Sequence, residues 1–234
     1  MHEHTHKQFD AEMEAIRTGV LGMGGLVETQ INRAIKALTE EQEPAAMDAV
    51  GADEHRINDM QIVMDHQCSQ IIAKRQPAAI DLRMILTITK IVNDLERIGD
   101  EAKKIAYKAA QMHGSDRLAQ VRFFDVVRSA QLARELLQSA LDAFARLDVM
   151  EAARVIRRDE EIDAAFSSVL RQLISYMMED PRTISSALEI VFMAKSIERI
   201  GDHAKNIAEQ VIYIVKGRDV RHTPLEEVER EATR

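Results

Sequence analysis

Apolar side chains recur along this chain at alternating spacings of three and four, the period of a helix that buries one face. The first such run is Ile16, Val20, Met23, Val27, Ile31, Ala34 and Leu38. It predicts a helix from about Phe9 to Glu41, ended by Pro44. Gly19, Gly22, Gly24 and Gly25 weaken this helix and mark either a kink or a close contact with another helix. A second helix is predicted from about Ala45 to Arg75, with a weak point at Gly51, and Gln76-Pro77 turns the chain into a third, from about Ile80 to His113. Gly114-Ser115 reads as a helix stop followed by an N-cap. The fourth helix is expected from about Asp116 to Arg146 and the fifth from Val149 to Glu179. Asp180-Pro181 leads into a sixth, which runs to Lys216 before Gly217.

Two seams dominate. The third helix carries Ile85, Ile88, Val92, Leu95, Gly99, Ala102, Ala106 and Ala109 at these spacings, and the sixth carries Ala187, Ile190, Ala194, Ile197, Gly201, Ala204, Ala208 and Val211. At about 1.5 Å per residue each helix is roughly 50 Å long, and short turns between such helices make antiparallel neighbours crossing at about 20°. The fold class is therefore all-α: two tandem, pseudo-symmetric three-helix bundles built from six long antiparallel helices. Residues 8–113 form the first unit and 114–217 the second. Residues 218–234 are charged and weakly patterned, and are expected to fray.

The halves also repeat in sequence. Glu96-Arg97-Ile98-Gly99-Asp100 returns as Glu198-Arg199-Ile200-Gly201-Asp202. Each copy places a Glu and an Asp at i and i+4, on one helix face. Like charges at that spacing cost about 0.2–0.5 kcal/mol, and a mid-helix Gly about 1 kcal/mol relative to Ala. The same two penalties at matching places point to a cation there, and the glycines also fit close helix packing. Within a hairpin, residues equally far from the tip lie level. With Pro77 as the tip, Glu96 lies beside Asn58 and Asp100 beside Glu54. With Asp180-Pro181 as the tip, Glu198 lies beside Asp163 and Asp202 beside Asp159.

Each half thus brings together four oxygen-bearing side chains, without thiolate or imidazole, a donor set for hard or borderline ions such as iron, manganese, magnesium, calcium or zinc. Asn58 makes the first set less anionic. The competing reading is a solvated acidic strip neutralised by Arg97, Arg199, Lys103 and Lys104.

Composition narrows the remaining choices. The chain has 234 residues, no Trp, four Pro and a formal net charge of −8, which suits a helical protein and argues against a nucleic-acid binder. A single cysteine, Cys68, excludes an internal disulfide and suits a reducing cytoplasm. It falls on an apolar face with Ile57, Met64 and Ile71, as a core residue rather than a nucleophile. No apolar run is long enough to span a membrane, and the start is no signal peptide, so a cytoplasmic protein without direct membrane insertion is expected. His2, His4 and His6 are expected to lie in a disordered, functionally silent tail. A ferritin-like di-iron site needs Glu-x-x-His on two helices, and the only match is Glu3 to His6 in that tail. His203 adjoins Asp202 as a polar-face residue or a support to a ligand. There is no Gly-rich phosphate cradle and no nucleophile with a paired base, so an enzyme is the weaker reading. The alternative kept open is a carboxylate-bridged metal-dependent enzyme or metal-storage bundle.

The duplicated Glu-Arg-Ile-Gly-Asp helices, the Arg75-Gln76-Pro77 turn followed by Asp81-Leu82-Arg83, and Tyr176-Met177-Met178-Glu179-Asp180-Pro181 together resemble the PhoU family of phosphate-signalling regulators. The resemblance spans roughly Phe9 to Gly217. It implies metal-binding Glu/Asp-x-x-x-Asp motifs that fall here on Glu96, Asp100, Asp159, Asp163, Glu198 and Asp202, with Glu54 kept and Asn58 departing from the pattern. It also implies a non-catalytic homodimer that acts with the phosphate-importer ABC transporter ATPase and a membrane sensor histidine kinase. Such a regulator restrains uptake and keeps phosphate-starvation genes off when phosphate is plentiful.

Overall fold

The computed structural model describes residues 2–40, 44–112 and 117–233. They form α1 (His2–Thr39), α2 (Pro44–Arg75), α3 (Ala79–Met112), α4 (Arg117–Arg146), α5 (Val149–Glu179), α6 (Ile184–Lys216) and α7 (Leu225–Thr233), with no strand among the described residues. α1, α2 and α3 pack as one bundle, and α4, α5 and α6 as the second. The bundles meet where α3 packs against α6 and α1 against α4, so a single hydrophobic core runs through both. Both predicted seams are buried throughout, including Gly99 and Gly201.

Several boundaries differ from expectation for local reasons. α1 begins at His2, so the stretch expected to be disordered has a helical backbone. Pro44 opens α2 instead of closing α1: at the first helical position its missing N–H is not needed and its fixed φ is already helical. Gly51 does not break α2. The turn after α5 is a 3-10 turn over Pro181–Thr183, capped by the Asp180 carboxylate, which accepts from Arg182 N at 3.1 Å, so α6 starts at Ile184. Asp148 caps α5 by accepting from Glu151 N at 3.0 Å. Gly217 ends α6 at φ 71°, its N–H bonded to Tyr213 O, and a Cβ there would stand 2.5 Å from Arg83 Nη1. The Gly114-Ser115 stop and the outermost helix positions Glu41, His113 and Asp116 lie outside the described residues.

The largest correction concerns the tail expected to fray over 218–234, of which residues 218–233 are described. Instead of fraying, the segment turns back and places α7 against α5, burying Val228 and Ala232. Arg218 pairs with Glu227 at 2.5 Å and Glu231 at 2.7 Å, and Arg157 of α5 pairs with Glu229. Two apolar positions four apart were too short a pattern to stand out among these charges.

Gly24, like Gly19 against Met64, serves close contact, whereas a Cβ on Gly25 would meet nothing within 4 Å. A Cβ on Gly24 would lie 2.6 Å and 2.8 Å from the two terminal carbons of Leu141 and 3.3 Å from its Cγ, where α1 meets α4. Gly24→Val should therefore lower stability by about 2–3 kcal/mol, against the gain of losing a helical Gly, as read from urea unfolding. A stability equal to or above wild type would show that α1 and α4 are not held this closely.

Candidate functional site

The middle turns of α5 and α6 bring Asp159, Asp163, Glu198 and Asp202 into one electrostatic neighbourhood. Asp159 is 1% exposed. Its Oδ2 receives Lys205 Nζ at 3.0 Å, while Oδ1 is buried and accepts no hydrogen bond. Its carboxyl is pushed up chiefly by burial, opposed by Lys205 and reinforced by Asp163 and Glu198. Asp202 is raised in the same direction, by burial and then by Glu198, Asp159 and Asp163; it is exposed by surface area, so that shift carries little stability. Lys195 sits across both Glu198 oxygens, at 2.6 Å and 2.5 Å.

Gly201 makes this approach feasible. A Cβ on it would lie 2.8 Å from Ile162 Cδ1 and 3.1 Å from Asp159 Oδ1. A side chain at position 201 would displace the Ile162 side chain and crowd the Asp159 carboxylate. The glycine thus serves close packing and carboxylate convergence together.

The first half repeats the plan with weaker charge. Glu96 is raised by burial first and by Asp100 next; Arg97 and His203 lower it, and Glu54 raises it slightly. Glu54 is held by Lys103 at 2.6 Å, and Arg97 stands 3.6 Å from Glu96. Beside Gly99 the close neighbours are Gln30 Oε1, 2.9 Å from an ideal Cβ, and Ile57 Cδ1 at 3.1 Å. Gln30 is completely buried, and neither its oxygen nor its nitrogen is hydrogen-bonded.

The structure redistributes the neutralising cations. Lys103 and Arg97 serve the first carboxylate group as expected, but Arg199 and Lys104 both turn to buried Glu101, each at 3.0 Å. Lys205 and Lys195, which periodicity does not single out, serve the second group. His203 Nδ1 lies 2.8 Å from Asp94 Oδ1, which also accepts from Asn206 Nδ2 at 3.2 Å. His203 therefore ties α6 to α3 across the boundary between bundles. Cys68 is buried, its thiol pushed up to about 11 by burial and by Asp65, which fits a core residue.

Among the described residues no three His, Cys, Asp or Glu side chains are disposed as a metal cage as they stand; lysine ammoniums occupy the places where positive charge is needed. The donor chemistry, carboxylate oxygens alone, is of the kind that suits a hard cation. Asp159 Oδ1 is a buried carboxylate oxygen with no donor, and burial first, then neighbouring carboxylates, raises both Asp159 and Asp202.

A family model described as the PhoU domain matches residues 20–109 and 126–211. The phosphate-specific transport system accessory protein PhoU homolog of Pseudomonas putida is 47% identical over 222 residues, covering 95% of this chain and 86% of that protein. The phosphate-specific transport system accessory protein PhoU of Escherichia coli K12 is 42% identical over 230 residues, 98% of this chain and 94% of that one. The crystal structure of PhoU from Pseudomonas aeruginosa superposes with a TM-score of 0.83 at 45% identity, over 90% of this chain and 100% of that one. A phosphate transport system regulatory protein PhoU from Streptococcus pneumoniae gives 0.82 at 26% identity, over 91% and 99%.

Proposed function

The chain belongs to the PhoU family, and on that premise we propose that it is a non-catalytic regulator of phosphate homeostasis in the cytoplasm. In this reading it restrains the phosphate-importer ABC transporter through its ATPase. It also keeps the partner sensor histidine kinase from activating phosphate-starvation genes while phosphate is plentiful. The observation that carries the reading is similarity along nearly the whole chain to proteins named as accessories of phosphate-specific transport. No helix among the described residues is long and apolar enough to cross a membrane, which supports action on membrane partners from outside the bilayer. Exposed Ile62 and Val63 on α2, and Ile184, Leu188 and Phe192 at four-residue spacing on α6, support partner-facing surfaces, a second copy of the chain among them.

Metal belongs to the same proposal. Glu54, Glu96 and Asp100 would hold one site, and Asp159, Asp163, Glu198 and Asp202 the other, for divalent or trivalent ions of iron, zinc, manganese or magnesium. Bound there, such an ion supplies the positive charge that fastens α2 to α3 and α5 to α6. Asp159 Oδ1 offers a donor, Gly201 admits it, and Lys205 and Lys195 keep the carboxylates ordered when positive charge must come from the protein.

Deleting the protein should leave a phosphate-starvation reporter on in high phosphate, and removing the sensor kinase as well should turn it off. Normal repression in the deletion strain would sink the regulatory reading. Oxygen uptake on adding ferrous iron to the purified protein would instead favour an oxidase or storage role.

A further inference from the structure

A cavity of about 620 Å³ opens between α5, α6 and the returning C-terminal segment, with Asp202 in its lining. Its volume falls in the range of small-molecule sites, about 300–1,000 Å³. Three cations line it, and each is already engaged elsewhere: Arg199 with Glu101 at 3.0 Å, Lys205 with Asp159 at 3.0 Å, and Arg221 with Asp219 at 2.5 Å. The carboxylates that line it are not. Glu209, Glu160 and Asp202 make no hydrogen bond or ion pair with the protein among the described residues.

Glu209 is the decisive group, because it is only 9% exposed, borders the cavity and accepts no hydrogen bond, with Lys205 and Arg221 acting on it only through space. Burial strips water from this carboxylate, and a ligand that supplies a donor offsets part of that cost. The apolar part of the lining comes from Ile156 of α5 and from Leu225 and Val228 of α7, beside polar Arg221, His222 and Thr223. Free carboxylates in one lining with these hydrocarbon side chains match a ligand with ammonium groups joined by methylenes.

We propose that this cavity binds an aliphatic diamine or polyamine, with Glu209 receiving one ammonium group and Ile156, Leu225 and Val228 covering the methylene chain. An anionic ligand would have to displace Glu101, Asp159 or Asp219 from its cation, whereas a diamine displaces nothing. The segment that carries Arg221 and Leu225 forms one wall, so occupancy also holds α7 in place.

Groups around Glu209 come from each packed element: Lys205, Asp202 and His203 on α6, Arg221, His222 and Asp219 on the C-terminal segment, and Asp94 on α3, with Glu160 of α5 in the same lining. Burial pushes the Glu209 carboxyl up to about 7, against Lys205 and Arg221. Binding a cation therefore releases a proton near neutrality, and affinity should rise about tenfold from pH 6 to pH 8 as Glu209 ionises.

The test is calorimetric titration of the full chain with putrescine and with spermidine at pH 6 and pH 8, with magnesium chloride at matched ionic strength as control. Both amines should bind wild type, tighter at pH 8. Glu209→Gln should weaken them at least tenfold and remove the pH dependence, and exposed Glu160→Gln should weaken them less. Glu161→Gln, on α5 outside both the cavity lining and the carboxylate group, should leave amine binding unchanged. Hydrogen exchange in residues 219–228 of wild type should slow when spermidine is added, a readout that needs no variant. No binding of either amine, equal binding by Glu209→Gln, or loss on Glu161→Gln would each overturn the assignment.

Discussion

Replacing Glu209 by Gln should make the protein more stable at pH 8, by about 3 kcal/mol, and the gain should shrink below about 1 kcal/mol at pH 5. The cause is desolvation. Glu209 is buried in the wall of α6, and folding raises its carboxyl from an ordinary 4.5 to about 7. A carboxyl raised by folding favours the folded state while it stays protonated. That advantage is complete below the unfolded value and is lost as pH rises from about 4.5 through about 7. Gln keeps the shape and cannot ionise, so it escapes the loss. Lys205 and Arg221 partly offset the burial, and Asp219 and Asp94 add to it. Urea unfolding of both proteins at pH 5, 6.5 and 8 reads the difference directly. A gap that does not widen with pH would show that Glu209 is solvated in the folded protein.

The second large effect concerns the carboxylate group on α5 and α6. A metal at about one hundred times its Kd should stabilise wild type by about 3 kcal/mol, and a chelator should remove the gain. Asp159→Ala or Asp202→Ala should abolish most of it, and the second substitution should add less than the first. The same should hold for Asp163 and Glu198, with coupling of order 0.5–3 kcal/mol within each pair. In chelator the sign reverses. Burial and like charge hold Asp159 above the ordinary carboxylate range, so Asp159→Asn should leave the metal-free protein as stable as wild type or more so above that range. The first half should respond less, because Asn58 is neutral where Asp163 is charged. Melting curves with manganese, ferrous iron or zinc, repeated with chelator, measure every arm. Identical melts in all conditions with uncoupled carboxylates would end the metal reading.

Gly99 and Gly201 show how far local pattern reaches. Their recurrence within Glu-Arg-Ile-Gly-Asp left close packing and cation binding as rival explanations, and the coordinates show packing and convergence served by one glycine, since its missing Cβ leaves room for both Ile162 and Asp159 Oδ1. Gln30 was invisible by comparison. It holds an ordinary place beside Ile31 in the α1 pattern, and its burial against Gly99 depends on how α1 is rotated about its axis.

The six long helices, their seams and their hairpin pairing follow from the chain alone, because each depends on residues a few positions apart or on a short turn. The three-and-four spacing sets the buried face, and equal distance from Pro77 or Asp180-Pro181 sets which residues lie level. Only the tertiary structure decided which lysine meets which carboxylate, that His203 reaches Asp94, and that residues 218–233 return to wall a cavity over Glu209. Those contacts join residues brought together by helix rotation and by the docking of one bundle on the other. Long flexible lysines choose among several acids within reach, and α7 acquires its apolar partner only after α5 and α6 have packed. No periodicity within one helix encodes either choice.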